Sequence, residues 1–188
     1  MSDSAAVVHP PRSGAGFGAA AIFFGIGWMF AVLQFSFFFT VEFYLSSAYT
    51  TYLTVTVAWL VGSVLGLAWR KGEDLEVWVL LGGTASYYLG AALLSTFQFQ
   101  GWLMPVLCLL IVGSGLYAGL FFRARQHVMR AKWLFFWENN GFVTGIVTTF
   151  VAFTLIGRDF ILVTPAVSAL LMAPLILWIG RRYPSPSS

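Results

Sequence analysis

The sequence predicts an all-α polytopic membrane protein, a bundle of six transmembrane helices with both termini in the cytoplasm. Three observations predict it. Hydropathy marks six apolar stretches, at about 17–43, 48–69, 77–98, 102–122, 133–157 and 160–180. Each is long enough, or nearly so, for a hydrocarbon core of roughly 30 Å at about 1.5 Å per residue. The stretches are continuous apolar runs, not the dyad alternation of barrel strands, and in lipid only helices and closed barrels satisfy their own backbone. Charge is the third observation. With the N-terminus inside, Arg12, Arg70, Lys71, Arg123, Arg125, Arg130, Lys132, Arg181 and Arg182 face the cytoplasm and only Arg158 faces out, as the positive-inside rule requires.

Composition agrees. The 188 residues are 59% hydrophobic and 9% charged, with a mean hydropathy of +0.84, whereas a soluble domain carries about 25% charged residues. A charge at mid-bilayer costs about 2.5–3.5 kcal/mol on insertion scales, so lipid selects against it. The basic residues read as topology anchors suited to anionic headgroups. The expected partner is the lipid bilayer of a bacterial inner membrane, not nucleic acid. Residues 1–16, with His9, Pro10 and Pro11, are expected to form a flexible tail, residues 17–182 the transmembrane domain and residues 183–188 a disordered tail. The first stretch is too long for a signal peptide core, so it is expected to be retained.

Helix 1 is crowded with phenylalanine (Phe17, Phe23, Phe24, Phe30, Phe35, Phe37, Phe38, Phe39 and Phe43). Such a surface is expected to face lipid or a hydrophobic partner. Gln34, Ser36 and Thr40 add a mild polar stripe. Helices 2 to 5 carry small residues at four-residue spacing: Gly62/Gly66, Gly82/Ser86/Gly90, Gly115/Gly119 and Gly141/Gly145. This spacing puts them on one face, where backbones approach closely and van der Waals packing replaces the missing hydrophobic drive. The loop Arg70–Glu76 mixes charge signs and reads as a solvated turn. The loop Arg123–Lys132 is basic and suits the headgroups, with Trp133 and Trp137 as belt residues beyond it. Pro165 and Pro174 predict a bent or locally unwound helix 6.

The most pointed local feature is Glu138-Asn139-Asn140-Gly141 near the start of helix 5. Glu138 shares a face with Gly141, Gly145, Thr148 and Thr149 by helical spacing. An intramembrane carboxylate is a functional candidate by default, and the functional reading is a proton or cation site. The structural reading is a polar cluster of Glu138, Asn139 and Asn140 clamped by an ion pair to Arg123 or Arg125. Shallow depth and the nearby arginines favour the clamp. At the outer side, Glu42 and Arg158 are expected to pair. His9 and His127 both fall outside the hydrocarbon, so a bis-histidine haem has no ligands. Cys108 stands alone, which excludes an intrachain disulfide and a cysteine metal site. Gly14–Ala19 imitates a dinucleotide fingerprint, but no strand precedes it. No Walker lysine, nucleophile elbow, zinc spacing or paired carboxylates occur, so neither enzymatic activity nor a metal or cofactor is expected.

Two stretches carry a family resemblance. Val61-Gly62-Ser63-Val64-Leu65-Gly66 followed by Arg70-Lys71, and Glu138-Asn139-Asn140-Gly141-Phe142-Val143-Thr144-Gly145, resemble segments of bacterial membrane proteins whose six-helix part is fused to a spermidine synthase-like domain. The residues after helix 1, from Glu42 on, are similar to that family's acidic-aromatic stretch. The resemblance implies a six-helix unit of half major-facilitator type. It implies no activity, because the aminopropyltransferase domain has no counterpart here and Glu138 stands where the family has asparagine. The residues alone point to a non-catalytic subunit that anchors or organises a larger membrane assembly or its own copies. The alternatives are a small transporter or half-transporter acting as a dimer, supported by Gln34, Glu138, Asn140, Pro165 and the threonines of helix 5, and a quinone- or pigment-contacting redox subunit, supported by aromatic content.

Overall fold

Six helices form in the order expected. The computed structural model describes residues 16–45, 48–69, 75–98 and 100–184. The helices are α1 Phe17–Leu45, α2 Ala48–Ala68, α3 Glu76–Thr96, α4 Leu103–Arg125, α5 Ala131–Ile156 and α6 Arg158–Arg182. All six are long and apolar enough to cross a membrane. The shortest, α2 and α3, have 21 residues, about 31 Å at about 1.5 Å per residue, close to the hydrocarbon thickness. Residues 1–15 of the expected N-terminal tail, with His9 and Arg12, residues 185–188 of the expected C-terminal tail and the basic pair Arg70–Lys71 lie outside the described residues. Two boundaries differ from expectation in ways that matter. α4 continues through Arg123 and Arg125, and α3 opens on Glu76. Gly157 alone joins α5 to α6, at φ 79°, a backbone region that strains side chains with a Cβ.

The bundle has a basic end, where Arg125 of α4 meets Glu76 of α3 and His127 meets Tyr183 after α6. Arg158 lies at the opposite end, against Tyr44 of α1.

The phenylalanine helix does not face lipid. α1 packs against α2, α3, α5 and α6 and also touches α4. Phe23, Phe30, Phe35 and Phe37 are buried, and only Phe17 and Phe43, at its two ends, are largely exposed. The rings fill the centre through edge contacts. Phe23 lies 5.4 Å from Phe121, Phe30 lies 5.5 Å from Tyr117, and Phe37 lies 5.2 Å from Tyr87. The physical reason is volume. One helix enclosed by the others must fill the space between them on every side, and aromatic rings do so with favourable edge-to-face geometry.

Two parallel helix pairs hold this arrangement, α2 with α4 and α1 with α5. In each, glycine lets one backbone sit on another. A Cβ at Gly62 would strike the carbonyl of Val112, at Gly66 that of Leu116, and at Gly115 that of Trp59. In the other pair a Cβ at Gly141 would strike the carbonyl of Phe24, at Gly145 that of Trp28, and at Gly27 that of Glu138. The two sets correspond residue by residue with the same spacings. Gly62 matches Gly141, Gly66 matches Gly145, Trp59 matches Glu138, and Gly115 matches Gly27.

The third helices follow the same correspondence. Gly113 of α4 faces Ser86 of α3, as Gly25 of α1 faces Met172 of α6. Phe37 reaches Gly90, as Arg125 reaches the carbonyl of Ile176. These matched contacts relate α1–α3 to α4–α6 as an approximate three-helix repeat, although α1 packs on α2 and α3 more extensively than α4 does on α5 and α6. Three crossings are an odd number, so the second copy runs inverted to the first.

Candidate functional site

Polar groups that could serve a site lie at four places in this bundle. At the basic end, Arg125 is 7% exposed and Glu76 3% exposed, and the two form an ion pair through Arg125 Nη2 and Glu76 Oε2. Arg125 Nε donates to Glu76 Oε1 at 3.3 Å, and Nη2 also donates to the carbonyl of Ile176 at 3.4 Å. One guanidinium thus ties α4 to α3 and α6. Gly180 leaves room for it, since a Cβ there would stand 3.4 Å from both terminal nitrogens. Burial without a partner would cost each charge several kcal/mol, roughly, and pairing with hydrogen bonds offsets that cost.

This geometry corrects the expected clamp. Arg125 is committed to Glu76, and Arg123 donates to the carbonyl of Leu67 at 3.4 Å, capping the end of α2. Neither arginine pairs with Glu138. Asn139 and Asn140 are exposed, and Asn140 Nδ2 turns back to the carbonyl of Phe136 at 2.7 Å. The reason is helical phase. Leu134, Glu138, Gly141, Gly145 and Thr149 form the buried stripe of α5, and the two asparagines fall outside it. Thr148, expected on that stripe, is half-buried and donates to the carbonyl of Thr144 at 2.7 Å. Glu138 is left by itself, 6% exposed, with no ion-pair or hydrogen-bond partner for its side chain among the described residues. Its inverted-repeat counterpart, Trp59, is a buried indole packed edge-on against Phe30 at 6.3 Å. One repeat carries a carboxyl where the other carries a ring.

At the opposite end the expected Glu42–Arg158 pair does not form. Arg158 Nη2 donates to Tyr44 Oη at 2.8 Å, and its guanidinium lies 5.3 Å from the Phe43 ring and 5.6 Å from the Tyr44 ring. Oε2 of Glu42 is buried without a hydrogen-bond partner among the described residues. A weakly hydrated, planar guanidinium is drawn to ring faces, and two such faces follow Glu42 directly in the chain.

The fourth place lies between α1, α3 and α6. Pro165 has no N–H, so the carbonyl of Ile161 loses its helical donor. Tyr87 Oη supplies one at 2.8 Å. Its single proton is then used, so Thr40 Oγ1, 3.1 Å away, is the donor to Tyr87 Oη. Tyr88 Oη donates to the carbonyl of Leu162 at 2.7 Å and accepts from the amide of Ala166 at 3.0 Å. The helix continues through Pro165 and Pro174 with the first of these openings sealed by two phenols.

Of the expected small-residue face, six glycines hold: Gly62, Gly66, Gly115, Gly119, Gly141 and Gly145 all have backbone or side-chain atoms where a Cβ would stand. Gly90 meets the side chains of Leu107 and Phe37 at ordinary contact distance. Gly82 is a correction: it is exposed, with nothing within 4 Å of a Cβ. The buried stripe of α3 runs Glu76, Leu80, Gly83, Tyr87, Gly90, Leu94, one residue out of phase with Gly82, while Ser86 lies half-buried at its edge, facing Gly113. Gly83 makes the close approach instead, with Ser114 Oγ donating to its carbonyl.

Sequence reasoning missed Glu76, Tyr87, Tyr88, Gly27 and Gly83. The alternating three- and four-residue steps of the α3 stripe carry the signal for Glu76, Gly83 and Tyr87, and Gly27/Ala31 repeats the small-residue spacing already noted elsewhere. No group of three or more His, Cys, Asp or Glu side chains that could hold a metal occurs among the described residues. Comparison of the chain with protein-family models, curated proteins and solved structures finds no match.

Proposed function

We propose that this chain is one protomer of a small membrane transporter, a half-transporter working as a pair of copies in a bacterial inner membrane, with both termini in the cytoplasm. The inverted three-helix repeat carries this reading. Secondary transporters recurrently use such repeats because two oppositely oriented copies of one unit have two equivalent arrangements, open to either side. The half major-facilitator architecture implied by the resemblance is built on the same nested repeat. The interior of one copy is filled by aromatic rings, which favours a pathway between copies. The positive-inside bias supports the orientation. The reading includes no catalytic activity and no bound cofactor.

Burial of the aromatic helix removes one motive for the subunit reading. The exposed apolar groove of α2, lined by Val57, Leu60, Val61, Val64 and Leu65, keeps it as the second reading, since a partner helix fits such a surface. Mild-detergent purification from native membranes, with mass measurement, separates the two. A lone homodimer that supports solute-dependent flux in proteoliposomes supports transport. Stoichiometric co-purification of another membrane chain, with no flux, supports the subunit.

A further inference from the structure

The observation with most left to explain is the pairing of Gly27 with Glu138. The backbone carbonyl of Glu138 lies where a Cβ on Gly27 would be, so α5 is seated against α1 at the residue that carries the buried carboxyl. Glu138 lies seven residues into α5, about 10 Å along its axis at about 1.5 Å per residue. Trp133, the belt residue, lies nearer the helix start.

Among the described residues, the charged groups on the helices around it are engaged elsewhere or exposed, Arg130 at the start of α5 among the exposed ones. On α4, Arg125 holds Glu76 and Arg123 holds the carbonyl of Leu67. Tyr117 on α4 is buried beside the Glu76–Arg125 pair. On α6, Arg182 lies over the Trp178 ring at 5.7 Å and Arg181 is exposed. On α5, Lys132 lies over the Trp133 ring at 5.6 Å. The described part of α1 carries one charged residue, Glu42, at the opposite end.

We propose that Glu138 is a proton-binding site inside the membrane, occupied as the neutral acid while α5 is seated on α1. A carboxylate at this place has no cation and no hydrogen-bond donor to meet among the described residues, and burial in an apolar bundle disfavours it. The neutral acid does not carry that penalty. Release of the proton therefore goes with separation of α5 from α1, which admits water to the new charge. The glycine contact makes the seating all-or-none, because backbone atoms already touch. The inverted repeat supports a special role for this position: Trp59, which has no proton to exchange, occupies it in the other half. The proposal concerns this side chain alone and does not depend on the transport reading.

A hydrophobic carbodiimide tests it on the full-length protein in lipid nanodiscs. The reagent attacks protonated carboxyls in apolar surroundings. The acid proton moves to a carbodiimide nitrogen, the carboxyl oxygen bonds to the central carbon, and rearrangement leaves a stable N-acylurea. At neutral pH the expected result is one adduct per chain, mapped to Glu138 by peptide fragmentation and undiminished by excess sodium. Glu138→Gln loses that adduct and loses the infrared carbonyl stretch of a protonated acid. Absence of an adduct at Glu138 overturns the proposal, and the fragment map of the unaltered protein decides this even if the variant fails to fold. Protection by sodium overturns it in favour of a metal-cation site.

Discussion

The backbone amide of Ala166 donates to the hydroxyl of Tyr88 at 3.0 Å. With Tyr87 capping the carbonyl of Ile161, α3 supplies the groups that α6 lacks around Pro165. Tyr87→Phe is expected to leave that carbonyl unsatisfied in a water-poor site, at a cost of about 1–3 kcal/mol. Pro165→Ala restores an N–H at the helical position. In the Tyr87→Phe background it should recover most of the loss, and a double-mutant cycle on thermal unfolding in nanodiscs measures the coupling. Additive losses would sink this account of the phenols.

The ion pair at the basic end gives a sharper contrast. Arg125→Met removes the cation paired with the buried Glu76, and a loss of about 3–5 kcal/mol is expected. Replacing both partners with apolar residues of similar size removes the charges together and should cost much less. Denaturation in mixed micelles, comparing single with double variants, reads the difference directly.

Glycines that look alike in the sequence should part company on substitution. Gly119→Leu and Gly141→Leu drive a side chain into the facing backbone (Ser63 and Phe24 respectively), so loss of the folded, monodisperse peak on size-exclusion chromatography is expected. Gly82→Ala meets open space and should stabilise α3 by up to about 1 kcal/mol through helix propensity. A destabilised Gly82→Ala would mean that this face is covered by something in the assembled protein.

Arg158 and Glu42 should behave independently. Glu42→Gln is expected to change the unfolding midpoint little. Arg158→Met loses a hydrogen bond to Tyr44 and contact with two ring faces, worth about 1 kcal/mol at an exposed site. Non-additivity between the two substitutions would restore the ion pair that the geometry excludes.

Helix number, order and approximate limits were legible because hydropathy reports the solvent directly: lipid tolerates only long apolar runs. The close contacts at Gly62/Gly66, Gly115/Gly119 and Gly141/Gly145 were legible because small residues at helical spacing have few other uses in a membrane. Which face of α3 turns inward was not. Gly82 and Gly83 are adjacent, and phase is set by Glu76, Tyr87 and their partners on other helices. The expectation for α1 failed for a related reason. Aromatic residues suit both lipid and a crowded centre, and only the positions of five other helices decide between them. The arginine assignments failed because Glu76 was read in a loop, so Arg125 lacked its true partner in the sequence reading.

The pairing of α1 with α5 and of α2 with α4 sets a timetable for biogenesis. The first three helices leave the insertion machinery before the surfaces they fit have been synthesised. Their bared glycine grooves must be shielded by lipid, or by a chaperone in the membrane, until α5 arrives. Ribosome-stalled intermediates ending before α4 should accordingly be the form of this chain most vulnerable to membrane proteases.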